Sequence, residues 1–252
     1  MLEKDQDIGA LCFIHGWGFD SRVMEGLVAE LRPCWNVRLI DMPGYRNNRP
    51  VNPPGDIENI ADSLAHTIQP NTVLVGWSLG GMAAIKIAHI MRERIRAIIL
   101  LASTPCFVKK KDWPHGMEPY LIDEMTDRMS TDIEEVLQEF AVLTARGDVS
   151  PKQTLRELKL LLKSNSADPY ALLTGLNILR HTDLRNEYSE LKCHVMMISG
   201  EEDQLITAGT GSASREIQPL LKLNKIPATG HAPFISKKKE AVEMIDKYLR
   251  SL

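Results

Sequence analysis

Long apolar runs are missing from this chain. None approaches the roughly 18 residues that a membrane-crossing helix needs, so no membrane contact is expected. A basic excess is missing as well. The chain carries 30 Lys and Arg against 33 Asp and Glu, a net charge of -3, which argues against a dedicated nucleic-acid binder. Cysteine is sparse and scattered: Cys12, Cys34, Cys106 and Cys193 form no C-x-x-C pair. Cys12 and Cys193 sit inside apolar runs and read as buried free thiols of a reducing compartment. The histidines and cysteines show no ligand spacing, so neither a metal nor an organic cofactor is indicated. Residues 1–7 are charged and lack the apolar core of a secretory leader, which makes a cytoplasmic protein the expectation. There is no internal repeat and no low-complexity segment. The triplets Lys109-Lys110-Lys111 and Lys237-Lys238-Lys239 read as solvated surface. A monomer is the expected state.

What is present is an alternation. Short apolar runs at 10–14 (ALCFI), 36–40 (NVRLI), 72–75 (TVLV) and 96–101 (RAIILL) are separated by helical patterns at 22–31, 56–69 and 80–92. The alternation resumes with runs at 195–199 and 222–226, a helical pattern before Leu220 and another at 240–249. Strands spaced by helices specify an α/β fold with a mostly parallel central sheet flanked by helices. Between about 105 and 190 the patterns are helical only, at 132–145, 152–163 and 170–179. The expected layout is therefore one α/β core from 1–104 and 191–252, with 105–190 inserted as a helical lid. At 252 residues the core is large enough to fold alone.

The strongest local signal is Gly76-Trp77-Ser78-Leu79-Gly80-Gly81, a G-x-S-x-G match between a strand and a helix. In that setting a serine stands on a sharp, strained turn, and the flanking glycines avoid collision with the neighbouring backbone. A serine hydroxyl needs a hydrogen-bonded base to attack. His231, in Thr229-Gly230-His231-Ala232-Pro233-Phe234, follows the last strand and would reach the same rim of the sheet. His66 and His89 fall inside helices, His194 begins a strand, and His115 and His181 lie in the lid. Asp203, after Gly200-Glu201-Glu202, is the expected acid, with Glu201 and Glu202 as close competitors and Asp183 as a more distant one. The order Ser78, Asp203, His231 is that of α/β-hydrolases, which this constellation resembles. His15-Gly16-Trp17-Gly18 follows the first strand. It is expected to supply one oxyanion-hole N–H from Trp17, Leu79 giving the other. His15 itself reads as a structural histidine.

These motifs, with Asp41-Met42-Pro43-Gly44, ASTPCF at 102–107, DWP at 112–114, TDLR at 182–185 and GHAPFIS at 230–236, resemble the pimeloyl-acyl-carrier-protein methyl ester esterases of biotin synthesis, the BioH type, over nearly the full length. The resemblance implies hydrolysis of the methyl ester of pimeloyl-acyl carrier protein to pimeloyl-acyl carrier protein and methanol. It also implies substrate contacts at Trp17, Ser78, Leu79, Phe140, Ala141, Val142, Leu143, Thr144 and His231. Independently, Val136, Phe140 and Leu143 share a helical face that would suit an apolar acyl slot. An acidic carrier protein would call for a basic surface, and Lys152, Arg156, Lys159 and Lys163 make one stripe at helical spacing. The chain departs from the family in three places. Glu134, Glu135 and Glu139 stand where arginines are frequent, 44–49 (GYRNNR) lacks the usual Gly-Ser pattern, and the first residues leave little room for the first strands of the fold. Two other readings keep the same constellation: a short-chain carboxylesterase or other small-metabolite hydrolase, and a ligand sensor without turnover.

Overall fold

The computed structural model describes residues 9–46, 48, 55–164 and 167–252. The short N-terminal segment, and Asn47 and Arg49 of the 44–49 loop, lie outside the described residues. In chain order the first half runs β1 (Ala10–Ile14), a 3₁₀ turn into α1 (Glu25–Leu31), β2 (Val37–Ile40), α2 (Ile57–Ala65), β3 (Thr72–Trp77), α3 (Leu79–Met91) and β4 (Ile95–Leu101). Five helices follow: α4 (Pro119–Arg128), α5 (Ile133–Ala145), α6 (Pro151–Lys163), α7 (Pro169–His181) and α8 (Arg185–Ser189). The chain then re-enters the sheet with β5 (His194–Gly200), α9 (Thr210–Ile217), β6 (Leu221–Ile226), the short α10 (Pro233–Ser236) and α11 (Lys238–Leu249).

The six strands form one sheet in the order β2-β1-β3-β4-β5-β6, every pairing parallel. The sequence explains their places. β1, β3, β4 and β5 are near-continuous apolar runs and are buried on both faces, as central parallel strands must be. β2 (VRLI) and β6 (LKLNKI) alternate apolar with charged or polar residues and occupy the two edges, where one face meets solvent.

Strand order reverses between β1 and β3, where the chain first returns past its starting strand. The register pairs Ile14 with Gly76, so the loops leaving β1 and β3 emerge side by side. Such a switch point opens a crevice at the carboxyl ends of the strands. Helix α1 packs on α11 and α2 on α3, while α5 pairs with α6 and α4 with α7. Segment 102–118 carries no regular element, only isolated bridges such as Cys106 to Asp183. These differences from the sequence expectations are local: α4, α8 and the short α10 are added helices, α2 ends at Ala65 rather than 69, and β3 runs on to Trp77.

Candidate active site

Ser78 sits between β3 and α3 with φ 53° and ψ −119°, a conformation side-chain-bearing residues avoid. The turn is held by hydrogen bonds. Ser78 N–H donates to the Leu101 carbonyl at 3.0 Å, and the Ser103 hydroxyl donates to the Ser78 carbonyl at 2.6 Å. The flanking glycines are steric necessities. A Cβ on Gly76 would collide with the backbone of Gly80 and Gly81, and one on Gly80 with the carbonyls of Ile14 and His15. The second contact brings the start of α3 against the loop leaving β1.

That loop is braced by His15. Its Nδ1–H donates to the Gly16 carbonyl at 2.8 Å, and Nε2 accepts from Met42 N–H at 2.9 Å. Complete burial drives the His15 pKa down, outweighing the Gly16 bond and the pull of Asp41 and Asp20. The imidazole is therefore neutral, with one nitrogen donating and the other accepting. It ties the β1 loop to the β2 loop, the structural role read from sequence.

His231 follows β6 and is fully buried. Its Nδ1 lies 2.8 Å from Asp203 Oδ2. The other Asp203 oxygen accepts the N–H groups of Leu205 and Ile206 at 2.8 and 3.0 Å, which pins the carboxylate so that Oδ2 faces the ring. One carboxylate thus caps its own turn and orients the histidine. Glu201 and Glu202 are exposed, and Asp183 is engaged with Arg185 and Lys110. His66, His181 and His194 are exposed as well.

The backbone of His231 is gripped on both sides. Its carbonyl accepts the Trp77 indole N–H at 2.8 Å, and its N–H donates to the Thr144 carbonyl at 3.2 Å. Sequence reasoning missed the roles of Trp77, Ser103 and the Thr144 carbonyl. No local pattern encodes them, because each partner is distant in the chain.

With Nδ1–H given to Asp203, Nε2 of His231 is free to accept a proton. Nε2 and Ser78 Oγ are both buried without a hydrogen-bond partner among the described residues. An unmade hydrogen bond on a buried group costs about 1–3 kcal/mol, so such atoms in a well-bonded site need a reason. Both belong to groups that a serine nucleophile and its base would use. Leu79 is the first residue of α3, so its N–H has no acceptor within the helix, and the helix terminus favours negative charge there. Trp17 is buried, its indole N–H donating to the Leu172 carbonyl at 2.8 Å and its ring meeting Phe140 edge-on at 5.0 Å.

Segment 140–144 of α5 divides. Phe140, Ala141 and Thr144 are buried, and Leu143 is half-buried against the core. Val142 is 40% exposed and faces away from them. The Thr144 hydroxyl donates to the Phe140 carbonyl at 2.9 Å. Lys152, Arg156 and Lys163 are exposed and Lys159 half-buried on α6, none of them in an ion pair with a described residue. Glu135 and Glu139 on α5 are not free: Arg128 reaches them at 3.3 and 2.7 Å. No three His, Cys, Asp or Glu side chains among the described residues gather as a metal-binding group. Nor is any described helix long and apolar enough to cross a membrane.

A serine on a strained strand-to-helix turn and a histidine oriented by a buried aspartate are groups that acyl transfer uses. The chain belongs to the alpha/beta hydrolase family, whose model matches residues 13–244. Among its relatives, a pimeloyl-acyl-carrier-protein methyl ester esterase of Xylella fastidiosa (strain M23) is 32% identical over 246 residues, 96% of each chain. One of the same name from Nitrosomonas europaea is 32% identical over 237 residues, 94% of each. An esterase from Exiguobacterium antarcticum shares the fold, with a TM-score of 0.86 over 97% of this chain and 93% of its own at 20% identity.

Proposed function

We propose that this chain is a serine carboxylesterase that hydrolyses the methyl ester of pimeloyl-acyl carrier protein, releasing methanol and pimeloyl-acyl carrier protein for biotin synthesis in the cytoplasm. The chemistry rests on the His231–Asp203 pair, which leaves Nε2 and Ser78 Oγ as the two unspent polar atoms of the site. The substrate rests on relatives of that name spanning 96% of the chain.

Ser78 Oγ attacks the ester carbonyl while His231 Nε2 takes its proton. The oxyanion is held by the amides of Trp17 and Leu79; losing one such donor typically costs about 2.7–4 kcal/mol. Collapse of the tetrahedral adduct expels methoxide, which leaves as methanol with the proton from Nε2. Water then attacks the acyl-serine and gives a proton to Nε2; collapse of this second adduct breaks the bond to Ser78 Oγ, Nε2 returns the proton to Oγ, and the pimeloyl acid departs still attached to its carrier and ionises. Asp203 stabilises the imidazolium in both steps without itself being protonated.

In this reading residues 105–190 act as a lid over the core of 1–104 and 191–252. Phe140, Ala141, Leu143 and the inward side of Thr144 shape the acyl site, and Val142 supports the outer surface. The stripe Lys152, Arg156, Lys159 and Lys163 receives the acidic carrier protein. Arg128 neutralises Glu135 and Glu139 locally, which lowers the repulsion those carboxylates would exert on such a partner.

The test is the mass of the carrier after incubation. Wild-type protein should convert the methyl ester to the free acid, and Ser78→Ala should leave it unchanged. A carrier left methylated by the wild type would overturn the substrate; conversion by the Ala variant would overturn the nucleophile.

A further inference from the structure

The Trp77 side chain bridges the loop leaving β1 and the loop that carries His231. Its indole N–H donates to the His231 carbonyl at 2.8 Å, and its ring lies 5.8 Å from the His231 ring between centroids. A Cβ on Gly16, in the β1 loop, would stand 2.9 Å from the indole Cε3. Phe234 meets the indole edge-on at 5.3 Å, and Phe19 lies at 5.5 Å. Trp77 is wholly buried, and its backbone is the last pair of the β3–β4 register, opposite Leu101. An indole wedged in this way cannot swing without moving a neighbouring loop, so packing fixes the direction of its N–H.

The other ties between Ser78 and the His231 loop are long. Through the sheet, β3 reaches β6 by way of β4 and β5, and 227–231 extends beyond that edge strand. On its far side the loop is tied to the end of α5 and the turn after it. His231 N–H donates to the Thr144 carbonyl at 3.2 Å, and Val149 N–H to the Ala228 carbonyl at 2.8 Å. The Trp77 bond is the short path, because it joins the His231 main chain to the residue covalently preceding Ser78. We propose, resting on the serine-esterase reading, that Trp77 is a positioning residue whose indole N–H sets the reach of His231 Nε2 to Ser78 Oγ. Asp203 holds the imidazole at Nδ1, and a bond there alone leaves the ring free to pivot about it. Trp77 supplies the second anchor by fixing where the ring's own backbone stands. A misplacement of about 1 Å at reacting groups can cost about 10²-fold in rate. Loss of this anchor should therefore show in kcat and not in KM.

The donor can be deleted without changing the shape of the ring. Replacing Trp77 by its benzothiophene analogue puts sulfur where the N–H stood, and Trp77→Phe is the simpler companion variant. Turnover of p-nitrophenyl butyrate is measured in cooperatively melting protein. In both, kcat should fall about tenfold or more, with KM within about twofold of wild type. The same replacements are then made in His231→Ala, whose residual turnover no longer uses the base. There kcat should change by less than about twofold, since residues that act through one another are not additive. An unchanged kcat for the analogue with His231 present would overturn the proposal. So would an equal loss in His231→Ala, because the indole would then act on the Ser78 turn or the Gly16 loop. A raised KM with kcat unchanged would overturn it too, because the indole would then serve binding. A wild type silent on this ester, or an active Ser78→Ala, would overturn the esterase reading and this proposal with it. An active wild type with an unmoved Trp77 analogue overturns this proposal alone.

Discussion

Ser78 holds a backbone conformation that its side chain resists, and the hydrogen bonds from Ser103 and to Leu101 keep it there. Strain of this kind costs about 1–3 kcal/mol. Ser78→Ala removes the nucleophile and keeps the strain, whereas Ser78→Gly removes both. Both variants should be inactive, and chemical denaturation should find the Gly variant the more stable by about 1 kcal/mol, after the entropy glycine regains on unfolding is set against the relief. Equal stability would mean that the turn is not strained. Asp203→Asn keeps an oxygen for the Leu205 and Ile206 amides but presents the wrong partner to His231 Nδ1. By analogy with other triads, kcat should fall on the order of 10⁴-fold with the fold intact. Wild-type kcat would return the orienting role to Glu201 or Glu202. The strained turn at Ser78 and the pairing of Asp203 with His231 were legible in sequence, because such a turn must announce itself by flanking glycines and because chain order restricts the two partners. The Trp77 and Thr144 grip on the His231 backbone was not legible, since it joins residues brought together only by the folded sheet and α5.

Among the elements, the central strands could be read directly: a parallel strand covered on both faces has no polar positions to blur it. The edge strands could be read for the opposite reason, their alternation. Helix α4 escaped because only Ile122 and Met125 of its ten residues are buried, too few to make a face. The irregular segment 102–118 is fastened not by periodicity but by a polar clasp. Arg185 bonds both Asp183 and Asp112, and Lys110 reaches Asp183 at 3.2 Å. Burial alone would raise the Asp183 pKa, but the bonds from the Arg185 side chain and backbone N–H and from Lys110 outweigh it and hold it down to about 2. A carboxylate lowered in the folded state from 3.8 stabilises fully above 3.8, and that stabilisation is lost as pH falls toward 2. Asp183→Asn should therefore lower Tm at pH 7, and the gap to wild type should close between pH 4 and pH 2. A gap that persists at pH 2 would mean that the clasp acts by shape and not by charge.

At the scale of the whole molecule, the sheet's switch point sets the loops leaving β1 and β3 side by side, and α6 carries the exposed Lys152, Arg156 and Lys163. Long-range attraction to an acidic partner is a rate and salt effect more than a packing one. Charge reversal by Arg156→Glu with Lys159→Glu should raise KM for the carrier-bound ester, flatten its dependence on salt, and leave p-nitrophenyl butyrate unaffected. An equal rise for both esters would argue against docking on α6. The proposed substrate requires that this site favour a carrier-borne ester. That is tested by kcat/KM for the methyl ester of pimeloyl-acyl carrier protein beside that for p-nitrophenyl butyrate, with Ser78→Ala as control. The wild type should strongly prefer the carrier-bound ester, and the Ala variant should turn over neither. Turnover of the small ester alone would contradict it and leave a general esterase on the same triad.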